Sequence, residues 1–66
     1  MELLNKESVV TEVTYTLADN TSLFYYKEWL NDSGKVIDFV LRDKDGYEID
    51  DPALLEEVQN FVDTLN

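Results

Sequence analysis

Carboxylates are the only chemically versatile side chains that this sequence contains in large number. The chain has fifteen Asp and Glu residues and five Lys and Arg residues, but no His and no Cys. Without His or Cys, the commonest general base, the usual nucleophile pairs and the commonest transition-metal ligands are missing. Three kinds of carboxylate chemistry remain open: calcium binding, acid–base catalysis and recognition of a basic partner.

One stretch has acidic residues spaced as in a calcium-binding loop. Residues 43–51 read DKDGYEIDD. An EF-hand loop needs oxygen ligands at fixed positions and a bidentate Glu at the last of them. Aligning the acids and Gly46 with that pattern puts Leu41 at the first ligand position and Pro52 at the last, so the match fails. A hairpin turn explains the same residues, and no metal site is predicted. The alternative is a weak, adventitious divalent site among Asp43, Asp45, Asp50 and Asp51.

The sequence also predicts no enzymatic activity, no catalytic residues and no cofactor. Paired carboxylates can perform acid–base chemistry, but a chain of 66 residues leaves little room for an enclosed pocket. The two Gly residues lie in separate turns, so no phosphate-binding loop is present.

The charge of the chain restricts its partners. The formal net charge is −10, and no basic residue follows Lys44. This balance opposes direct binding to nucleic acid or to anionic lipid. The N-terminus lacks the pattern of a signal peptide, and no apolar run approaches the ~20 residues of a membrane span. With no Cys to indicate an oxidising compartment, we expect a cytoplasmic protein that does not bind membranes.

Hydrophobic periodicity predicts four β-strands. Residues 8–17 alternate and are rich in β-branched side chains, and residues 23–30 and 35–42 follow the same pattern. The turn Asn31-Asp32-Ser33-Gly34 joins the second and third strands, with Gly34 in the left-handed region. A short fourth strand at residues 47–50 follows the turn at residues 43–46, and Arg42 is expected to pair with Glu48.

The Gly34 turn predicts a register for the central hairpin, whereas the register of the first hairpin stays open. The expected pairs are Trp29 with Ile37, Lys27 with Phe39 and Tyr25 with Leu41. This register would gather one apolar face as the core. Its members are Leu23, Tyr25, Trp29, Ile37, Phe39, Leu41 and Ile49.

A C-terminal helix is predicted at residues 52–65. Asp51 can cap its N-terminus, and Pro52 suits the first helical position. Apolar residues recur at helical spacing from Leu54 to Leu65. We therefore expect a single α+β domain spanning residues 1–66, in which the helix packs on one face of a four-stranded antiparallel β-meander.

The predicted register leaves a second apolar face on the sheet. Its members are Phe24, Tyr26, Leu30, Val36 and Val40. Antiparallel sheets normally alternate apolar and polar faces, so a contiguous second patch indicates an interaction surface. The alternative is that strand propensity alone selects these residue types on a solvent-exposed face.

These patterns favour a non-enzymatic, small acidic protein-binding module that acts as an adaptor or inhibitor. The expected partner is another protein with a basic or apolar surface. Two alternatives stay open: a DNA-mimicking inhibitor of a nucleic-acid-binding protein, of the kind that phages encode, and a homo-oligomeric structural or accessory protein. The predicted partner-binding residues are Phe24, Tyr26, Leu30, Val36, Val40, Glu48, Asp50, Asp51, Glu56, Glu57 and Asp63.

Overall fold

A computed structural model describes residues 1–65 as one antiparallel sheet and one helix. The elements are β1 (Glu2–Val9), β2 (Glu12–Asp19), β3 (Ser22–Leu30), β4 (Val36–Asp43) and α1 (Pro52–Leu65). The strands are ordered β1-β2-β3-β4 in the sheet, so each pairs with its neighbour in the chain. The predicted fold class, an α+β domain with a four-stranded antiparallel meander and a C-terminal helix, is confirmed.

The predicted first strand, residues 8–17, is interrupted near its start by a turn at residues 10–11, whereas residues 12–17 are strand, as predicted. Val10 adopts a positive φ of 47°, so β1 ends at Val9 and β2 begins at Glu12. A β-branched residue is strained in this region of backbone space, and Gly or Asn would be the usual choice. No local signal therefore indicated the turn, and the N-terminal residues form a strand that the sequence did not predict.

The predicted fourth strand, residues 47–50, is reduced to a single bridge. Arg42 pairs with Glu48, as predicted, but no regular strand extends from that pair. The Ile49 N–H donates to the carbonyl oxygen of Leu41 at 2.8 Å, which ties the segment to the end of β4. The four strands of the sheet are therefore β1 to β4. The N-terminal strand β1 takes the place of the predicted strand at residues 47–50 in the count.

The turn between β3 and β4 has the predicted form. Gly34 has a φ of 81°, and its N–H donates to the carbonyl oxygen of Asn31 at 3.0 Å. The Asn31 Oδ1 atom accepts hydrogen bonds from the N–H groups of Ser33 and Lys35, each at 2.9 Å. A side chain that caps its own turn in this way favours one hairpin geometry over its competitors.

A bulge just beyond this turn shifts the register of the central hairpin. Leu30 pairs with Val36, but the next pair joins Trp29 to Asp38. Ile37 is therefore an extra residue on β4 with no single partner on β3. One inserted residue exchanges the faces of a strand relative to its neighbour, because side chains alternate with a period of two.

The predicted pairs of Trp29 with Ile37, Lys27 with Phe39 and Tyr25 with Leu41 are consequently wrong. The bulge moves Phe39 and Leu41 by one position along β3. The observed pairs are Glu28 with Phe39, Tyr26 with Leu41 and Tyr25 with Arg42.

The core lies between α1 and the sheet face that carries Tyr26. The fully buried side chains are Tyr15, Leu17, Tyr26, Leu41, Val58 and Val62, and the partly buried ones packed against them include Val13, Phe24, Ile49, Leu54, Leu55 and Phe61. Leu41 and Ile49 were predicted in this set correctly. Leu23, Tyr25 and Trp29 were also predicted in the core, and this prediction is wrong. In the observed register they point to the opposite face of the sheet.

The helix has the bounds that the sequence predicts, residues 52–65. The Asp51 Oδ1 atom accepts hydrogen bonds from the N–H groups of Ala53 and Leu54, at 3.1 and 3.3 Å. These bonds satisfy backbone donors that the first turn of a helix leaves free. Val58 and Val62, four residues apart, form the buried centre of its apolar face.

Candidate protein-binding surface

The predicted second face of the sheet is wrong for two of its aromatic residues. Tyr26 is only 1% exposed and lies at the centre of the core, and Phe24 packs against the same cluster. The helix covers the face that the predicted register left open. Tyr26 is therefore a core residue, and Phe24 is a half-buried residue at the border of the core.

The open apolar surface lies at the start of β4. Val36, Ile37 and Phe39 are 47%, 66% and 43% exposed, and we call these three residues the β4 strip. Val36 belongs to the predicted partner-binding set, and the half-buried Leu30, also in that set, pairs with it. The sequence predicted Ile37 and Phe39 in the core. Phe39 does lie on the helix side of the sheet, with its ring centroid 6.5 Å from that of Tyr26, but it is left partly exposed.

Two shallow hollows lie on the helix side of this strip. The first has a volume of about 360 Å³ and is lined by Tyr26, Glu28, Val36, Ile37, Phe39, Gln59 and Asp63. The second, of about 170 Å³, is lined by Phe39, Val40, Leu41, Glu48, Ile49, Asp50 and Leu55. Phe39 lines both hollows.

The charged residues of both hollows are all acidic. They are Glu28, Glu48, Asp50 and Asp63, and we call these four residues the acidic rim. Three of them were predicted as partner-binding residues, and Glu28 was not. Lys6 lines a neighbouring hollow together with Glu28 and Asp63, so one end of the rim has a basic neighbour on its β1 side. The lining of the second hollow contains no basic residue.

The other predicted acids lie outside these hollows. Asp51, Glu56 and Glu57 are exposed, and Asp51 has a structural role as the helix cap. The acidic set is thus divided between the rim beside β4 and the solvent-facing side of α1.

Val40 lies on the sheet face opposite the helix, where the side chains interact with one another. The Trp29 Nε1–H group donates to Glu12 Oε1 at 2.9 Å, and Lys27 Nζ lies 3.3 Å from the same oxygen. The Lys27 ammonium also lies 4.9 Å from the centroid of the Trp29 ring. Trp29, Lys27 and Glu12 on this face are therefore paired with one another.

The hydroxyl group of Tyr26 links the floor of the first hollow to its acidic rim. It donates to Glu28 Oε2 at 3.1 Å and accepts a hydrogen bond from Gln59 Nε2 at 3.4 Å. Burial raises the pKa of Tyr26 from 10.0 to about 12. The bond from Gln59 acts in the opposite direction, while the charges of Glu28 and Asp63 add to the increase.

This pKa predicts a loss of stability at high pH. The unfolded chain loses the Tyr26 proton near pH 10 and the folded chain near pH 12, so the protein is progressively destabilised between these values. Tyr26→Phe has no proton to lose there, and its stability should fall less steeply over the same interval. Urea unfolding at pH 9, 10 and 11 measures the difference, and parallel curves for the two proteins would contradict it.

The acidic segment that follows β4 forms a turn. The Asp43 Oδ1 atom accepts hydrogen bonds from the N–H groups of Asp45 and Tyr47, at 2.9 and 3.0 Å. Gly46 takes a φ of 87°, as a left-handed turn residue does. Among residues 1–65, no group of three or more acidic, His or Cys side chains is placed to hold a metal ion.

The chain is similar to no protein-family model, curated protein or solved structure with which it was compared. Within the described residues, no helix has both the length and the apolar character needed to cross a bilayer. Fold and surface together define a small α+β domain with an apolar edge strand beside a row of carboxylates.

Proposed function

We propose that this chain is a non-enzymatic protein-binding module, an adaptor or inhibitor, that contacts its partner through the β4 strip and the acidic rim. The observation that supports this most is the exposure of three neighbouring apolar side chains on one edge strand. Exposed apolar patches with a polar border are typical of interaction sites. The cytoplasm is the compartment that we propose for it.

Ile37, the most exposed residue of the β4 strip, contributes little to the fold itself. Ile37 is 66% exposed and belongs to no core cluster, so its apolar area remains largely in water. Burying such a side chain against a partner is favourable by about 25 cal/mol per Å² of apolar surface. The acidic rim and the net charge of −10 would steer a basic protein toward this side of the molecule.

The test compares two substitutions on opposite edges of the sheet. Ile37 on β4 and Val9 on β1 are similarly exposed, at 66% and 62%, and both change to Asp. We expect Ile37→Asp to weaken partner binding at least about tenfold, the effect of losing a residue at the centre of an interface. Val9→Asp adds the same charge and should bind as the unmodified chain does.

The measurement is quantitative affinity capture from an extract of the cells that produce the protein, followed by titration of the captured protein. Circular dichroism and a urea titration establish that both variants fold before binding is compared. A partner that binds Ile37→Asp and the unmodified chain equally would exclude the β4 strip as the interface.

A second candidate function is imitation of DNA. It is supported by the exposed carboxylates of α1 and of the residues just before it. Glu56 and Glu57 lie on the solvent side of the helix, with Asp50, Asp51 and Asp63 also exposed. A DNA mimic would compete with duplex DNA for its target and lose affinity steeply with salt. It would tolerate Ile37→Asp and lose binding in Glu56→Gln/Glu57→Gln, the reverse of the result expected for the first candidate.

A further inference from the structure

The outer edge of β4 is open over the length of the β4 strip. β4 is the last strand of the sheet. Among residues 1–65, only the bridge between Arg42 and Glu48 pairs with its outer edge. Residues 36–40 therefore form a short edge with no neighbouring strand.

Backbone groups on this edge are oriented to receive another strand. The Phe39 N–H donates to Asp38 Oδ1 at 2.9 Å, a side-chain acceptor, and therefore points away from β3. Two residues on, the Leu41 carbonyl oxygen points the same way and accepts the Ile49 N–H. In an antiparallel sheet every second residue presents its N–H and C=O outward. Within the open segment, the Phe39 N–H is the group that the structure shows to point outward.

The two edges of the sheet differ in how many charged side chains they carry. The register of β1 breaks between Leu3 and Asn5, and the following residues, Lys6, Glu7 and Ser8, are polar and exposed. Bulges and charged side chains are common means of preventing strand addition at an edge. β4 also has a bulge, at Ile37, but Asp38 is the only charged residue between Val36 and Val40, and Ile37 and Phe39 beside it are apolar.

Asp38 influences which strand the edge accepts. A new strand must supply a carbonyl oxygen for the Phe39 N–H in place of Asp38 Oδ1. The released carboxylate adds a negative charge to this edge, which favours a basic segment over an acidic one. A second copy of this chain would instead bring its own net charge of −10 to an acidic edge.

We propose that a partner protein binds by adding an extended segment with alternating basic residues as a fifth strand along residues 36–40 of β4. Lys or Arg side chains on the helix side would lay their methylene stems on Phe39 and their charges at the acidic rim. Apolar side chains on the other side would cover Val40. This inference rests on the proposed protein-binding function and adds its geometry and the chemistry of the partner.

A synthetic peptide tests the strand geometry without knowledge of the natural partner. The probe is a capped peptide in which Lys and Val alternate over about six residues, the usual length of a strand. One control carries a methyl group on every backbone amide, which removes the hydrogen bonds and keeps the side chains. The other replaces Lys by Glu. Each is titrated into the full-length, ¹⁵N-labelled chain at low salt and again at about 500 mM salt.

We expect the Lys–Val peptide to bind at least about tenfold more tightly than either control, because the controls lose edge hydrogen bonds or charge complementarity. Hydrogen exchange of the Phe39 amide should slow on binding, and shift changes should concentrate at residues 36–40. High salt should weaken the binding. Equal affinity for the methylated peptide, unchanged exchange at Phe39, or no binding would overturn strand addition. A dimer of the chain alone with a protected Phe39 amide would overturn the choice of occupant.

Failure of this inference and of the proposed function are separable. If a captured natural partner is lost in Ile37→Asp while its complex leaves the Phe39 amide unprotected, protein binding stands and the strand geometry is wrong. If Ile37→Asp leaves the capture unchanged, the β4 strip is not the interface and both proposals fail.

Discussion

A chain that ends at Asp50 is expected to show no cooperative unfolding transition. The missing segment contains α1, whose Val58 and Val62 are fully buried against Leu17 and the rest of the core. Without the helix, one whole apolar face of the sheet would lie in water. A domain of this size buries only about 60% of its unfolded surface, so it has little stability to lose.

Circular dichroism during heating and urea titration measure this effect. The matched control is a chain that ends at Leu65, which is shortened but keeps the complete helix. We expect the control to unfold cooperatively and the chain ending at Asp50 to show a gradual, sloping signal. A cooperative transition in the chain ending at Asp50 would show that the sheet is stable on its own and that the helix is not needed for the core.

Replacing Tyr26 by Ala is expected to destabilise the protein by about 3–5 kcal/mol, as for other large aromatic residues in cores. The side chain is 1% exposed, and its ring lies 6.1 Å from that of Tyr15. A domain of this size has a total stability of only about 3–10 kcal/mol, at 0.05–0.15 kcal/mol per residue. Much of the Tyr26→Ala population should therefore be unfolded at room temperature.

Tyr26→Phe is the control, since it removes only the hydroxyl group that contacts Glu28 and Gln59. Loss of those two hydrogen bonds should cost about 1–2 kcal/mol. Urea unfolding at neutral pH separates the two variants. If Tyr26→Ala changed the free energy of unfolding by less than about 0.5 kcal/mol, as surface substitutions do, the residue would face solvent and the observed register would be wrong.

The sequence predicted correctly the elements whose signals are local. The helix is marked at its start by Asp51 and Pro52 and along its length by apolar residues at helical spacing, and its observed bounds agree. The Gly34 turn is likewise encoded within a few residues, by Asn31 as its cap and Gly34 in the left-handed region. Such signals need no knowledge of the rest of the fold.

Two of the three errors in the sheet have non-local causes. At Val10 the chain turns through a conformation that Val rarely adopts, so only the pairing of the whole of β1 with β2 accounts for it. The bulge at Ile37 is set by packing, because it places Phe39 and Leu41 on the same face as Tyr26. Both β3 and β4 carry apolar side chains on both faces. The sequence pattern therefore does not show whether the bulged or the regular register buries more apolar surface.

The candidate surface was predicted in part for the same reason. The acids Glu48, Asp50 and Asp63 lie at the rim of the hollows, because an excess of charge at the C-terminal end is visible in any register. The apolar residues depended on the register: Tyr26 lies in the core and Phe24 packs against it, whereas Phe39 lies on the same face but is partly exposed. A register with a bulge in β4 would have placed Phe24 and Tyr26 on the core face.

Site-specific photo-crosslinking in the producing cells tests most directly whether the β4 strip is the interface. A benzophenone-bearing amino acid replaces Ile37 in one chain and Val9, on the opposite edge, in another. We expect a covalent adduct of the protein with a basic partner from position 37 and none from position 9. Adducts from position 9 alone, or equal yields from the two positions, would contradict binding at β4.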